Sequence, residues 1–338
     1  MNVVPEKLTA KDFATDQEVR WCPGCGDYAI LRGVQNALAL IGAKKENTVF
    51  VSGIGCAARF PYYVATYGFH TIHGRAPAVA TGVKLANPEL DVWVVGGDGD
   101  MLSIGGNHLM HVVRRNVDLQ LLIINNEIYG LTKGQYSPTS RAGTKSPSTP
   151  MGSVEQPVSA LVYALGSNAR FIARSIDTLQ KHMPEVLKRA HAHKGTSVVE
   201  ILQNCIVYND DVFADITERS IAADRQLQCE HGKPLLFGKD RNKGLRMNTQ
   251  TLSLETVTVG ENGVTEADVI VHDEKNRVLA MLLAALEPPM PVALGVIYCD
   301  PAASYESGVM AQVDAAKAKA PSPQLNGLLR AGYTWTRS

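Results

Sequence analysis

Apolar residues along this chain form short runs rich in β-branched side chains, and several of these runs end at glycine and polar residues. Two runs, at 92–95 and 119–124, have the apolar character, interrupted only by Gln120, of strands that are buried on both faces of a parallel sheet. The residues between them, about 105–115, have the length of a crossover helix. The stretch therefore predicts a βαβ unit whose strands end at one edge of a sheet, where α/β proteins bind their ligands.

The alternation of strands and helices continues along most of the chain. Residues 69–87 predict a strand end, a loop and a helix of small residues. The other elements that the pattern predicts are strands at 48–51, 171–173, 197–202, 268–273 and 292–298 and helices at 28–41, 158–165, 178–192 and 276–286. This order is typical of an α/β fold with a central, mostly parallel sheet flanked by helices on both faces.

Polar stretches predict the exposed parts of the molecule. Residues 1–20 indicate a solvated arm, and residues 321–338 indicate an irregular tail. Residues 136–157 are rich in Ser, Thr, Pro and Gly, which is typical of a long surface loop beside the ligand-binding edge. Three histidines are expected on a solvated face of the predicted helix 178–192, namely His182, His191 and His193.

Composition narrows the classes of protein to consider. The 338 residues can bury a sizeable core, and 33 basic residues balance 33 acidic ones. We therefore expect no overall electrostatic field that would attract nucleic acid or a membrane surface. No apolar run approaches the roughly 20 residues of a transmembrane helix. The polar N-terminus lacks the apolar segment of a secretory signal, so the expected compartment is the cytoplasm.

The ends of the two central strands carry candidate metal ligands. Asp98 follows the first strand and Asn126 follows the second, 28 positions later. A carboxylate, an amide oxygen and a free backbone carbonyl suit Mg²⁺ that keeps further sites for phosphate oxygens. Gly97 and Gly99 would let backbone N–H groups approach a diphosphate closely. The alternative is a Gly-Asp turn after a core strand, and the stretch contains neither a G-x-G-x-x-G helix start nor a Walker lysine.

Cysteines form a second group of candidates. Cys22 and Cys25 form a C-x-x-C pair, which fits a redox pair, half of a zinc site or half of an iron–sulfur site. The residues before the pair are too polar for the strand that a thioredoxin-like motif requires. Cys56 and Cys205 each follow a predicted strand, and strand ends converge on one edge. The alternative for each single cysteine is a buried structural thiol.

Several motifs occur in the order expected for one family. They are Cys22-Pro-Gly-Cys25, Gly-Ile-Gly-Cys56, His73-Gly-Arg75, Gly-Asp98-Gly-Asp100, Asn125-Asn126-x-Ile128-Tyr-Gly-Leu-Thr-Lys133-Gly-Gln and Cys205. Together they resemble the β subunit of the 2-oxoacid:ferredoxin oxidoreductases, over about residues 18–300. The resemblance implies a thiamine-diphosphate-binding fold. It also implies a [4Fe–4S] cluster, whose ligands fall by motif on Cys22, Cys25, Cys56 and Cys205. Cys229 and Cys299 have no place in that cluster and are interpreted as structural.

The resemblance assigns roles to individual positions. Mg²⁺ would be held by Asp98, Asn126 and Ile128. The side chain of Ile128 cannot bind a metal, so its ligand would be the backbone carbonyl. Substrate and catalytic roles fall on His73, which would face the cofactor, on Arg59, which would grip a substrate carboxylate, and on Lys133, near the substrate and coenzyme A. The cofactor-binding set is Ile54, Gly55, Cys56, Ala57, His73, Gly97, Gly99, Asp100, Gly130, Leu131 and Thr132.

The resemblance also sets the expected organisation and partners. The predicted parts are the arm 1–20, a thiamine-diphosphate and iron–sulfur domain at 21–230, and a C-terminal α/β extension and tail at 231–338. An α subunit would supply the pyrimidine-binding half-site, and the other partners are a 2-oxoacid, coenzyme A and ferredoxin. The loop sequence LTKGQYSPTS favours 2-oxoglutarate, with pyruvate as the alternative. An alternative of another class is a non-catalytic subunit that binds an iron–sulfur cluster or zinc.

Overall fold

The computed structural model describes residues 8–319 and 324–337. Its strands are β1 (Thr48–Ser52), β2 (Tyr67–His70), β3 (Asp91–Gly97), β4 (Leu119–Asn125), β5 (Ile128–Tyr129), β6 (Gln135–Tyr136), β7 (Phe171–Ile176), β8 (Thr196–Leu202), β9 (Gln226–Cys229), β10 (Leu236–Phe237), β11 (Lys243–Asn248), β12 (Ser253–Thr258) and β13 (Val292–Cys299). Its α-helices are α1 (Asp27–Ile41), α2 (Phe60–Tyr63), α3 (Ala76–Ala86), α4 (Asp98–Leu102), α5 (Gly106–Arg115), α6 (Ala160–Gly166), α7 (His182–Ala192), α8 (Ala214–Thr217), α9 (Ala222–Arg225), α10 (Arg277–Ala284), α11 (Tyr305–Lys319) and α12 (Leu325–Leu329).

Eight strands form the central sheet, in the order β2-β1-β3-β4-β8-β7-β13-β9. Neighbouring strands are parallel except for β13 and β7, which pair antiparallel. The prediction of a mostly parallel α/β sheet is therefore confirmed. Two small antiparallel sheets, β10-β11-β12 and the hairpin β5-β6, lie outside it.

The central strands bury side chains on both faces of the sheet. In β3, Val92 and Val94 belong to one apolar core, while Trp93 and Val95 belong to the other. Successive side chains of a strand point to opposite faces, so a strand covered on both sides must be apolar throughout. This is why the run is continuous and not alternating.

Helices cover each of the two cores. Helices α1 and α7 pack together, and their buried residues belong to the core that contains Trp93. On the opposite face, α3, α5, α6 and α10 contribute to the core that contains Val92. Among the described residues, no helix combines the length and the apolar character needed to cross a bilayer.

Strand register brings the predicted site segments to one edge. Ser52 at the end of β1 pairs with Val95 of β3 and His70 of β2, so the residues after these strands emerge side by side. Likewise, Asn125 at the end of β4 pairs with Leu202 of β8. The carboxyl ends of five strands therefore deliver the loops that carry the candidate residues.

The C-terminal part contributes to the main sheet. Strand β13 lies between β7 and β9, so the sheet extends past the predicted domain boundary at residue 230. That boundary stays a prediction. The strand predicted at 268–273 is wrong, because this segment forms a 3-10 turn at Glu266–Asp268 followed by an isolated bridge from Val271 to Pro234.

Three expectations about exposed segments need correction. The arm 1–20 is not fully solvated, because Phe13 is completely buried in the core beneath α1; its residues 1–7 lie outside the described residues. The tail contains the helix α12, while its residues 321–323 and 338 lie outside the described residues. The loop 136–157 is exposed only in part, because Ser137 and Thr139 are buried.

The three histidines are also less exposed than expected. His193 lies past the end of α7, and its ring packs against Phe171 at a centroid distance of 5.4 Å. Burial lowers the pKa of His193 to about 4. His182 is half-buried, with Nδ1 at 3.0 Å from the Ser175 hydroxyl, and His191 stacks on Trp93.

Candidate active site

One cavity opens at the carboxyl edge of the sheet, between the ends of β1, β3 and β4. Among the residues around it are the following members of the predicted cofactor and Mg²⁺ set: Ile54, Gly55, Cys56, Ala57, His73, Gly97, Asp98, Gly99, Asp100, Asn126, Ile128, Gly130, Leu131 and Thr132. Asp27, Ile124 and Tyr129 also line it. We call this space the diphosphate cavity. The structure thus brings the predicted cofactor residues together, while their roles stay predictions.

Asp98 begins α4 directly after β3, and its side chain is buried. Burial raises the pKa of this carboxyl, and hydrogen bonds from Ser137 and Thr139 act in the opposite direction. Within the described chain, no basic side chain forms an ion pair with Asp98. A buried carboxylate held only by neutral donors suits a site that binds a cation.

Asp100 links three segments of the cavity wall. Its Oδ1 lies 3.0 Å from His73 Nδ1, accepts a hydrogen bond from Gly74 N at 2.8 Å, and lies 3.5 Å from Ile54 N. Its Oδ2 is buried without a hydrogen-bond partner. A Cβ on Gly53 would lie 1.8 Å from this oxygen, so the approach of the loop after β1 requires glycine. Asp100 therefore fixes the orientation of the His73 ring at the cavity.

The hairpin β5-β6 forms the next part of the wall. Tyr129 in β5 donates a hydrogen bond from its hydroxyl to the carbonyl of Gly99 at 3.0 Å. A Cβ on Gly99 would lie 2.2 Å from the Tyr129 ring, so only glycine allows the hairpin to pack this closely on α4. Tyr129 was not among the site residues predicted from the sequence.

Asn126 turns its side chain back onto its own loop. Its Oδ1 accepts a hydrogen bond from Ile128 N at 3.2 Å, and its Nδ2 donates to Gln203 Oε1 at 2.8 Å. The amide group is therefore held with its oxygen toward Ile128, the residue whose carbonyl is the other predicted Mg²⁺ ligand. A carboxylate, an amide oxygen and a carbonyl here are the hard oxygen donors that Mg²⁺ prefers.

A second cavity adjoins the first and contains the four predicted cluster cysteines. We call it the cysteine cavity. Cys22, Cys25, Cys56 and Cys205 line it together with Arg59, Lys133 and other residues. Cys56 and Gly130 line both cavities. A Cβ built on Gly130 would lie 3.5 Å from the sulfur of Cys205 and 3.9 Å from that of Cys56.

Hydrogen bonds connect the chain segments that carry these cysteines. Gly26 N donates to the carbonyl of Asn204 at 3.2 Å, which ties the C-x-x-C turn to the segment before Cys205. Trp21 Nε1 donates to the carbonyl of Cys56 at 2.8 Å. Gln203 Nε2 lies 3.3 Å from the sulfur of Cys25. The sequence places these segments far apart, and the fold joins them into one wall.

The described cysteines are all free thiols. Burial raises the pKa of Cys56 to about 11, with the charges of Asp27 and Cys205 adding to the effect, and burial also raises the pKa of Cys25. Within the described residues, no three His, Cys, Asp or Glu side chains stand close enough together to hold a metal ion. The four sulfurs therefore surround a common space without forming a closed ligand set.

Asp27 was not identified from the sequence. It begins α1, lines both cavities and is almost fully buried. Burial raises its pKa to about 7, and the Cys25 thiol lies 3.6 Å from its Oδ2. The position of Asp27, two residues after the C-x-x-C pair, could have indicated a site residue. The same position is equally well explained by a solvated acidic residue in the first turn of a helix.

The predicted substrate residues lie at different depths. Lys133 is exposed on the hairpin loop with φ of 83°, and Arg59 is half-buried with Nη1 donating to the carbonyl of Arg20 at 2.6 Å. Both line the cysteine cavity, whereas His73 lines the diphosphate cavity. Arg75 contacts His108 on the surface instead of either cavity.

Comparison with known proteins gives consistent results. Residues 53–201 match the family model "Thiamine pyrophosphate enzyme, C-terminal TPP binding domain". The chain is 46% identical to "2-oxoglutarate oxidoreductase subunit KorB" of Mycobacterium tuberculosis over 338 residues, covering 98% of this chain and 89% of that protein. It is 49% identical over 198 residues to "2-oxoacid:ferredoxin oxidoreductase 1, subunit beta" of Aeropyrum pernix, which covers 59% of this chain and 62% of that protein.

A solved structure extends the likeness to the whole fold. The structure of "2-oxoglutarate:ferredoxin oxidoreductase from Magnetococcus marinus with 2-oxoglutarate, coenzyme A and succinyl-CoA bound" superposes with a TM-score of 0.77 at 32% identity, covering 97% of each chain. The matched family model begins at residue 53, directly after β1, and ends at residue 201 in β8, so it includes the loops that build the diphosphate cavity. The chain therefore belongs to the family of 2-oxoacid:ferredoxin oxidoreductase β subunits.

Proposed function

We propose that this chain binds thiamine diphosphate, Mg²⁺ and a [4Fe–4S] cluster in an enzyme that interconverts 2-oxoglutarate and coenzyme A with succinyl-CoA and CO₂. Electrons would be exchanged with ferredoxin. The observation that carries the proposal is the shared wall between the diphosphate cavity and the cysteine cavity. Cys56 and Gly130 belong to both, so a cofactor in one space would lie beside a cluster in the other.

The diphosphate cavity supports the cofactor assignment through its donors. Asp98 would supply a carboxylate to Mg²⁺, Asn126 its amide oxygen and Ile128 its backbone carbonyl. Gly97 and Gly99 line the cavity without side chains, so backbone N–H groups there can approach a diphosphate closely. Thiamine diphosphate supplies carbanion chemistry at the 2-oxo carbon, and the protein supplies binding and orientation.

His73 is the residue of this cavity best placed to handle a proton. Its Nδ1 is committed to Asp100, so its Nε2 is the ring nitrogen left for the cofactor or the substrate. The side chain is 42% exposed, which leaves it accessible to ligands that enter from the mouth of the cavity. We propose that His73 exchanges or donates a proton there, in an orientation set by Asp100.

The cysteine cavity supports the cluster assignment. Its four thiols come from three chain segments that are hydrogen-bonded to one another, so their backbone positions are fixed before any metal binds. Thiolates and not thiols bind iron, so cluster binding must displace the protons that burial retains on Cys25 and Cys56. A cluster here would supply one-electron transfer at the wall of the diphosphate cavity.

Two cations support binding of an anionic substrate. Arg59 and Lys133 stand on the cysteine cavity beside residues that also border the diphosphate cavity. The guanidinium of Arg59 can grip a carboxylate with two parallel hydrogen bonds, while Lys133 offers a flexible point charge. The relatives named for 2-oxoglutarate favour this acid over pyruvate.

The chain is expected to work only in an assembly. The relatives are named as β subunits, and the described residues provide the diphosphate side of a thiamine site. We propose that an α subunit supplies the pyrimidine-binding side, including the glutamate that activates the aminopyrimidine ring. On this basis the purified single chain has no oxidoreductase activity.

Anaerobic purification of the complex with its α subunit tests the proposal. We expect about four iron and four sulfide per β chain, bound thiamine diphosphate, and coenzyme A-dependent reduction of ferredoxin by 2-oxoglutarate in preference to pyruvate. Cys205→Ser should lose the cluster, whereas Cys229→Ser, at a buried cysteine outside both cavities, should retain it. One zinc per chain without thiamine diphosphate would contradict the enzyme and favour a binding subunit.

A further inference from the structure

The candidate Mg²⁺ ligand Asp98 is held by two hydroxyl groups from the loop that follows β6. Ser137 Oγ donates to Asp98 Oδ2 at 2.5 Å, and Thr139 Oγ1 donates to the same oxygen at 2.6 Å. The three side chains are 2–5% exposed. Both hydroxyls therefore meet one carboxylate oxygen in a space from which water is largely excluded.

The distances indicate which acceptor receives the two protons. O–H···O⁻ bonds to an ionised acceptor are typically about 2.5–2.7 Å long, and both contacts with Asp98 fall in this range. The competing contacts are longer: the two hydroxyl oxygens are 3.1 Å apart, and Thr139 Oγ1 lies 3.0 Å from Asn125 Oδ1. Each hydroxyl has one proton: Ser137 directs its proton to Asp98, and Thr139 directs its proton mainly to Asp98 and shares it over the longer contact with Asn125 Oδ1.

The β5-β6 hairpin explains how these residues reach Asp98, which lies 39 and 41 positions earlier in the chain. Ile128 of β5 pairs with Tyr136 of β6, so Ser137 follows directly on the strand opposite Ile128. Ser140 donates a hydrogen bond to the carbonyl of Glu127, which closes the loop on the segment before β5. The hydroxyls are thus tied to the same hairpin that carries a candidate metal-binding carbonyl.

A buried polar network supports Thr139 from behind. Asn125 Nδ2 donates to Glu200 Oε1 at 2.8 Å, and Arg174 Nε donates to Glu200 Oε2 at 2.7 Å. The side chains of Asn125, Glu200 and Arg174 are all buried. Because the amide of Asn125 is anchored at its nitrogen, its oxygen is held beside Thr139.

We propose that Ser137 and Thr139 are positioning residues of the Mg²⁺–diphosphate site. They fix the rotamer of Asp98 through one carboxylate oxygen and leave the other for the metal. Because hydroxyls are neutral, they orient the carboxylate and leave its negative charge available to attract Mg²⁺. An arginine or lysine at the same place would cancel that charge. This inference rests on the proposed binding of thiamine diphosphate and Mg²⁺.

The test is a titration of the cofactor-stripped complex of this chain with its α subunit. Mg²⁺ is added at saturating thiamine diphosphate, and binding is followed by calorimetry. Outer-shell partners of metal ligands typically contribute about 10–100-fold to metal affinity, so Thr139→Val and Ser137→Ala should each raise the Kd for Mg²⁺ by about that factor. Thr139→Ser keeps the hydroxyl and should bind Mg²⁺ as the wild type does.

The matched control is Thr144→Val. Thr144 belongs to the same loop, but its exposed hydroxyl donates to the carbonyl of Arg141 at 2.6 Å and does not contact Asp98. Wild-type affinity for Mg²⁺ in Thr139→Val and Ser137→Ala overturns the inference, even if their metal-free complexes melt at a lower temperature, since that pattern indicates a purely structural role. If Thr139→Val does not assemble, Ser137→Ala decides. A wild-type complex that binds neither Mg²⁺ nor thiamine diphosphate refutes the proposed function itself.

Discussion

Gly99 is a position where the structure leaves no room for a side chain, and Gly99→Ala tests the packing of the candidate site. The added Cβ would lie 2.2 Å, 2.5 Å and 2.7 Å from three carbon atoms of the Tyr129 ring. Carbon atoms in contact usually stay about 3.5–4.0 Å apart, so the ring must move by roughly 1 Å or more. That movement strains the hydrogen bond from the Tyr129 hydroxyl to the Gly99 carbonyl.

The size of the effect follows from two opposing contributions. Overpacking of this kind costs about 1–3 kcal/mol in the free energy of unfolding. Alanine is favoured over glycine within a helix such as α4 by at most about 1 kcal/mol. We therefore expect Gly99→Ala to lower the free energy of unfolding by about 1–2 kcal/mol.

Gly97→Ala is the matched control. The nearest atom to its added Cβ is the Ile124 carbonyl oxygen at 3.8 Å, and Gly97 has a φ of −74°, which alanine adopts without strain. Removing this glycine should leave stability unchanged or raise it by about 0.4–1 kcal/mol. The two variants, two residues apart, should thus differ by about 2 kcal/mol.

Urea unfolding of the cofactor-free chain, followed by circular dichroism, measures the difference. The double variant Gly99→Ala/Tyr129→Ala identifies the cause, because removing the ring should make Gly99→Ala nearly neutral. Equal stability of Gly99→Ala and Gly97→Ala would refute the steric reasoning. The steric reasoning would also be refuted if Gly99→Ala lowered the free energy of unfolding by the same amount in the Tyr129→Ala background as in the wild type.

Three further predictions concern the rest of the molecule. Burial raises the pKa of the Cys56 thiol from 9.0 to about 11, because the folded chain disfavours the thiolate. The free energy of unfolding of the metal-free chain should therefore be unaffected by this thiol below pH 9 and should fall as the pH rises toward 11. Cys56→Ala should flatten this fall in urea melts, and an unchanged pH profile would contradict the prediction. Arg174→Met leaves the buried carboxylate of Glu200 unpaired and should cost about 3–5 kcal/mol by the same assay; a cost below 1 kcal/mol would argue against a buried ion pair. Leu121→Ala, at a fully buried position in β4, should cost about 2–5 kcal/mol, and a melting temperature equal to that of the wild type would contradict the assigned core.

The central strands could be predicted from the sequence because burial on both faces of the sheet determines their apolar composition. The run at 92–95 is apolar at every position and the run at 119–124 at every position except Gln120, and the fold buries both of their faces. The convergence of Asp98 and Asn126 followed from parallel strands that end at one edge. These features depend on local sequence and on a simple rule of topology, so a single sequence was enough.

The features that the sequence did not reveal depend on contacts between distant segments. Ser137 and Thr139 lie in a stretch whose composition is that of an exposed loop, and only the hairpin turns them toward Asp98. Phe13 is an isolated aromatic residue in a polar arm, and its burial depends on a core formed by α1 and α2. No periodicity signals such residues, because each depends on one tertiary contact.

The placement of β13 has a consequence for synthesis of the chain. In the folded sheet, one edge of β7 is covered by β8, which follows closely in sequence, and the other by β13, which begins 116 residues after β7 ends. At about 5–20 residues per second, the ribosome needs roughly 6–23 seconds to make that intervening stretch. During this interval the backbone groups on the open side of β7 can pair with a strand of another nascent chain. Emergence of β13 closes the edge, so the last third of the chain protects the first two thirds from misassembly.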